Sequence, residues 1–208
     1  MVSEHPSATA AEPTVTFPAA PPARIPIGGT LAAVRPHPDL VPAAVAAINE
    51  SLEHLRPWMA WAQEPATEAG MATFYAAAAE LWARRQDFGM VIVDEGDGSV
   101  VGGTGLHARL GATGLEIGYW VRVDRVGEGI ATRATAALTS AAFGIEGVER
   151  VRITCAADNV RSARVPDKLG YRFFEVSVPT EGPTAGRPTQ RWEVERADWM
   201  AGPRGDQP

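Results

Sequence analysis

The chain has 208 residues, 45% of them apolar, a net charge of −6 and one cysteine, Cys155. That length can bury one substantial core, and a single thiol excludes an intrachain disulfide and a metal cluster built from thiolates. No apolar run approaches membrane-spanning length, and the opening Met1-Val-Ser-Glu-His-Pro6 lacks the basic patch and apolar core of a signal peptide, so a cytoplasmic protein with no membrane partner is expected.

Residues 1–24 are rich in Ala, Pro and Thr, cannot bury enough apolar surface to fold alone, and read as a disordered arm. A single domain is expected over 25–200, with a flexible tail at 201–208. Its first strand is Thr30–Arg35, followed by a helix whose Pro42 falls early enough to be tolerated in the first turn. Beyond the N-cap residue Thr67, Met71, Phe74, Tyr75, Ala78, Leu81 and Trp82 recur at three- and four-residue intervals and predict a helix with one core-facing stripe. Phe88–Val93 and Ser99–Leu106 predict a hairpin around Asp94–Gly98, and a third strand spans Leu115–Val123. A helix over Gly129–Phe143, a strand over Arg150–Ala156 holding a buried Cys155, and a helix over Ser162–Leu169 ended by Gly170 come next. Two last strands, Arg172–Val178 and Gln190–Glu195, flank the Gly/Pro-rich loop Pro179–Pro188. This order implies an α+β fold with a mixed, mostly antiparallel sheet flanked by helices.

The segment Arg122-Val-Asp-Arg-Val-Gly-Glu-Gly-Ile-Ala-Thr-Arg133 carries the most chemistry. Gly127 and Gly129 stand between a strand and an Ala-rich helix, where glycine lets the backbone approach a ligand and the free N–H groups of the helix point at an oxyanion. An ordinary strand-to-helix connection is the alternative. From Arg122 to Arg172 nine basic residues accompany six acidic ones, which suits an anionic ligand there or marks a solvated charged face. No long basic stripe or aromatic platform suits nucleic acid.

Taken with their order, these motifs resemble the GCN5-related N-acetyltransferase (GNAT) superfamily over residues 27–199, in the branch that includes the ribosomal-protein acetyltransferases RimJ and RimL. Val126-Gly-Glu-Gly-Ile-Ala131 is similar to the acyl-CoA pyrophosphate loop, with Val126 where Arg or Gln is usual. Glu116-Ile-Gly-Tyr-Trp-Val121 resembles the strand before that loop. Asn159-Val-Arg-Ser-Ala-Arg-Val-Pro-Asp-Lys-Leu-Gly-Tyr171 resembles the Asn-x-x-Ser…Lys-Leu-Gly-Phe signature, and Leu52-Glu-His-Leu-Arg-Pro-Trp-Met59 resembles the acceptor-side helix.

The resemblance implies the GNAT fold, acetyl-CoA or another short acyl-CoA as cosubstrate, no metal, and direct acyl transfer to a primary amine. The acceptor it implies is a protein N-terminus, with a small amine or antibiotic as the alternative. By the same resemblance Trp120, Val121, Arg122 and Val123 line the pantetheine arm, and Val126, Gly127, Glu128, Gly129, Ile130, Ala131 and Thr132 form the pyrophosphate loop. Asn159 holds the arm, with an N-cap or turn role as its alternative, and Arg164 and Lys168, one helical turn apart, reach the 3′-phosphate or else lie on a solvated face. Pro166 occupies the position of the tyrosine acid of many members, so Ser162 is the acid expected to protonate the leaving thiolate; N-capping its own helix is its other reading. Glu116 is the expected base, with an ion pair to Arg as its structural alternative, and His54 and His107 are further bases because neutral imidazole accepts protons near neutrality. Trp58, Met59 and Trp61, with His54 and His107, are expected on the acceptor side, where aromatic faces attract ammonium groups; a core-anchoring aromatic cluster and structural histidines are the alternatives. A catalytically silent acyl-CoA-binding protein and a partner-binding domain are competing readings, and the oligomer is expected to be a monomer or homodimer.

Overall fold

The computed structural model describes residues 15–180 and 185–202. Eight strands form one sheet: β1 Arg24–Gly28, β2 Leu31–Val34, β3 Asp87–Asp94, β4 Ser99–His107, β5 Gly114–Val121, β6 Arg150–Ala156, β7 Arg172–Ser177 and β8 Thr189–Glu195. Their order across the sheet is β1-β2-β3-β4-β5-β6-β8-β7. Every neighbouring pair is antiparallel except β5 and β6, which run parallel and are joined by a crossover helix. The helices are α1 Val41–Glu50, α2 Leu52–Leu55, α3 Glu68–Arg84, α4 Ile130–Phe143, α5 Val160–Lys168 and α6 Arg196–Met200.

Alternation along the strands divides the core into two layers. Met90, Ile92 and Val101 belong to the larger cluster with Ile130, Ala134 and Leu138 of α4. Their neighbours Val91, Val93 and Val100 pack on the other face against Ala44 and Ile48 of α1 and Met71 and Tyr75 of α3. The helices are anchored by identifiable bonds. Thr67 caps α3 through Gly70 N at 3.1 Å, and buried Ser51, between α1 and α2, accepts from Val123 N at 3.0 Å. That last bond ties the α1–α2 corner to the exit of β5.

The structure revises several expectations. Residues 1–14 of the expected arm lie outside the described residues, but residues 15–23 are packed: Phe17 is 1% exposed, and its N–H donates to the Arg85 carbonyl at 2.9 Å. An additional strand, β1, follows at Arg24 despite Pro26, because it lies at the sheet's edge, where a missing donor is tolerated. Thr30 belongs to the β1–β2 turn. Phe74 does not join the buried stripe of α3; it is 56% exposed, while Met71, Tyr75, Ala78 and Trp82 are buried. Arg196, in the added helix α6, donates to the carbonyls of Phe143 (2.5 Å), Ile145 (3.0 Å) and Val148 (2.6 Å), fixing the chain end below α4. Of the expected tail, 203–208 lies outside the described residues.

Candidate active site

The parallel pairing of β5 with β6 stops at Ile117 and Ile153, although β5 continues to Val121 and β6 to Ala156. Beyond that rung the strands part into a wedge whose inner backbone groups have no ladder partner. Backbone polar groups left without a ladder need another partner, and an extended arm carrying its own amides fits that need. The wedge leads to the turn before α4, where Gly127 (φ 98°) and Gly129 (φ 73°) hold left-handed conformations. Gly129 is the N-cap of α4 and offers no capping side chain. The first-turn N–H groups, including those of Ala131 and Thr132, therefore suit an anion such as a pyrophosphate. No protein atom lies within 4 Å of a Cβ built at either glycine, so the left-handed backbone conformation, not internal packing, demands glycine there.

Around this loop the charged side chains are committed to one another. Arg122 pairs with Asp124 at 2.6 Å, and Arg125 pairs with Glu128 at 2.8 Å and Asp94 at 3.5 Å. Glu128 thereby neutralises Arg125 instead of reaching outward. Ile130 is buried in the core, leaving only its backbone for a ligand, whereas Val123 and Val126 are exposed. Arg164 and Lys168 lie exposed on α5 and make no ion pair among the described residues.

The two faces of the wedge differ in chemistry. On the face carrying Glu116, Gly118 and Trp120, the sheet register aligns Gly89, Gly105 and Gly118 in one row across β3, β4 and β5. His107 lies over that row. A Cβ at Gly105 would stand 2.9 Å from its Cε1, and one at Gly118 3.3 Å from its Nε2. The imidazole is thus turned toward the first residue of the wedge, while its Nδ1 meets the Asp87 carboxylate at 2.9 and 3.1 Å. A carboxylate only accepts, so Nδ1 carries a proton and Nε2 is the ring nitrogen turned toward the wedge. Glu116, directly across from His107 in the sheet, has both oxygens engaged, by Arg109 at 2.6 Å and the Thr154 hydroxyl at 2.8 Å.

Further along this face, Trp120 packs edge-on against Trp61 at 6.1 Å, with Met59, Leu52 and Leu55 beside it. Gly103 makes room for it, since a Cβ there would stand 2.4 Å from Trp120 Nε1. Trp58 and Met59 line a cavity of about 220 Å³ with Arg56, Gln63, Ala156 and Arg187. Arg187, absent from the sequence-derived site, closes it: the guanidinium donates to the Pro57 carbonyl at 2.5 Å, pairs with Asp158 at 2.9 Å and stacks over Trp58 at 5.0 Å. His54 is partly buried on α2, outside that lining.

On the opposite face, Asn159 caps α5 by accepting from Ser162 N at 3.1 Å, which leaves its amide NH₂ to donate elsewhere. The Ser162 hydroxyl lies 2.9 Å from the Tyr119 phenol. Burial pushes the Tyr119 phenol well above its ordinary range, with the hydrogen bond to Ser162 opposing. Burial likewise raises the Cys155 thiol, so Cys155 stays protonated and is a poor nucleophile. Among the described residues no three His, Cys, Asp or Glu side chains group as a metal site, and no helix is long and apolar enough to cross a membrane.

Known proteins resemble this chain in sequence and in fold. The sequence model of the acetyltransferase (GNAT) domain matches residues 30–172. The Bacillus subtilis protein named "Putative ribosomal N-acetyltransferase YdaF" is 31% identical over 129 residues, which are 60% of this chain and 68% of YdaF. Mycobacterium smegmatis RimJ, solved with a CoA disulfide, superposes with a TM-score of 0.72 at 22% identity, covering 84% of this chain and 85% of RimJ. RimL, a ribosomal L7/L12 α-N-protein acetyltransferase solved with coenzyme A, gives a TM-score of 0.73 at 18% identity, covering 83% and 97%. Those two structures share the fold. With most of its length matched by the family's sequence model, the chain belongs to the GNAT family of acetyl-CoA-dependent acetyltransferases.

Proposed function

We propose that this enzyme transfers an acetyl group from acetyl-CoA directly to the α-amine of a protein N-terminus, in the cytoplasm. The observation that carries the reading is the wedge between β5 and β6 opening onto the uncapped start of α4. The inner backbone of the wedge and the Asn159 amide hold the pantetheine arm, the N–H groups after Gly129 hold the pyrophosphate, and Arg164 and Lys168 reach the 3′-phosphate. The acceptor enters from the face that carries His107 and Trp58. Of the candidate bases, the geometry favours His107: its Nε2 points at the wedge while Asp87 orients the ring, whereas Glu116 is held by Arg109 and Thr154. The ammonium gives one proton to His107, the neutral amine attacks the thioester carbon, and the tetrahedral adduct sheds its second N–H proton to solvent as it collapses. The C–S bond then breaks with its electron pair going to sulfur, which is protonated from the other face by Ser162.

The acceptor assignment rests on the name of YdaF and on the cavity beside Trp58. At about 220 Å³ it is smaller than the ~300–1,000 Å³ typical of pockets for drug-sized ligands, which suits one N-terminal residue better than an aminoglycoside. The test is a panel of N-terminal peptides, polyamines and aminoglycosides with saturating acetyl-CoA, read by mass and by thiol release. Acetylation of the peptide α-amine supports the proposal. Turnover with a small amine alone transfers the activity to the small-amine class, and thiol release with none would leave the cofactor-binding reading.

A further inference from the structure

The turn of α5 that carries Ser162 contains a proline where the helical ladder needs a donor. In an α-helix the N–H of residue 166 would bond the carbonyl of residue 162, but Pro166 has no N–H. The Ser162 carbonyl is therefore released from the helix, and the structure shows what takes the vacated position: the Tyr119 phenol donates to that carbonyl at 3.1 Å. Tyr119 comes from β5, on the wall of the wedge, and the same oxygen lies 2.9 Å from Ser162 Oγ. A phenol has one proton. Shared between the carbonyl and Ser162 Oγ, that proton leaves the Ser162 hydrogen free to face the wedge, and the serine rotamer is fixed by a side chain of the strand against which the cofactor arm lies.

We propose that Tyr119 is the positioning residue for Ser162: it substitutes for the helical donor removed by Pro166 and thereby holds the Ser162 hydroxyl at the wedge. This inference rests on the reading of Ser162 as the acid. When the C–S bond breaks, the Ser162 proton passes from Oγ to sulfur, and Oγ regains from solvent the equivalent of the proton shed by the attacking nitrogen. Tyr119 keeps its proton throughout, because burial disfavours the phenolate. Its phenol orders the serine and does not touch the reacting atoms.

A double-mutant cycle tests this. Tyr119→Phe is expected to lower kcat by about tenfold or more, leave the acetyl-CoA Kd within about twofold, and have no further effect in the Ser162→Ala background. An undiminished kcat in Tyr119→Phe, or an equal loss in both backgrounds, would overturn the proposal while the loss in Ser162→Ala keeps the acid assignment. Wild-type kcat in Ser162→Ala would remove the acid assignment and this inference together. A second measurement reads the helix itself: Pro166→Ala restores the donor to the Ser162 carbonyl, so the melting temperature lost on Tyr119→Phe should be smaller in that background. An equal loss with and without Pro166 would show that Tyr119 does not replace the helical bond.

Discussion

Gly105→Ala should disable the enzyme without touching the cofactor site. The new Cβ would stand 2.9 Å from His107 Cε1, 3.1 Å from Nε2 and 3.2 Å from Gly89 Cα. Carbon atoms in good contact sit ~3.5–4.0 Å apart, so the ring must swing off the glycine row and give up Asp87 at 2.9 Å. Losing a hydrogen bond to a charged group costs about 1.5–3 kcal/mol, and the clash with Gly89 adds overpacking of about 1–3 kcal/mol. Some of this is relieved as the ring moves. A displaced base forfeits about 10²-fold or more in kcat. Thermal melting, calorimetric acetyl-CoA binding and steady-state acetylation separate these effects: lowered stability, unchanged Kd, and kcat down about 10²-fold. In a His107→Ala background the same substitution should remove little further activity. Wild-type turnover by folded Gly105→Ala, or an equal loss in both backgrounds, would refute the seating of His107 on the glycine row.

His107→Gln should lower kcat by about 10²-fold or more with the acetyl-CoA Kd unchanged, whereas Glu116→Gln should lower kcat less, because its loss of charge leaves Arg109 unpaired. A larger loss of kcat in Glu116→Gln than in His107→Gln would return the base to Glu116, and steady-state acetylation by both variants decides. Arg187→Ala removes a stacking contact worth about 0.5–1 kcal/mol and a hydrogen bond of about 1 kcal/mol, so the acceptor KM should rise by about tenfold with acetyl-CoA affinity unchanged; competition between acceptor and dead-end peptide reads it. Phe17→Ala should destabilise the domain by about 3–5 kcal/mol in denaturant melts, since Phe17 packs at 6.0 Å from Phe88 in the core; a change near zero would return residues 15–23 to a loose arm.

The parts of the fold legible in the sequence were those set by local pattern. β6 falls at Arg150–Ala156 as expected, the hairpin turn at Asp94–Gly98 is present, and Gly170 ends α5 at φ 76°. β1 was hidden because Pro26 and the preceding Pro-rich stretch mimic an arm, although Ile25 and Ile27 alternate into the core. Phe74 fits the helical interval but falls on the stripe's outer margin, a distinction of angle that spacing alone does not make. At the site, the left-handed glycine turn and a capping role for Asn159 were readable from chemistry at short range. The Asp87–His107 pair, the row Gly89–Gly105–Gly118 and the Arg187 bonds to Pro57 and Asp158 depend on register and loop closure over long separations, so no local signal carries them. Ser162 and Tyr119 show the same limit: each was visible, but their hydrogen bond arises only when α5 folds back on β5.

The most direct test of the account is calorimetric titration of acetyl-CoA into the wild type and Gly129→Val. In the variant a β-branched residue is forced to a φ near 73°, at a cost of about 1–3 kcal/mol, and its side chain occupies the space left for the pyrophosphate. One-site binding in the micromolar range is expected for the wild type and a large loss of affinity in a folded variant. Absence of binding to the wild type, or equal affinity in Gly129→Val, would contradict the cradle on which the whole mechanism depends.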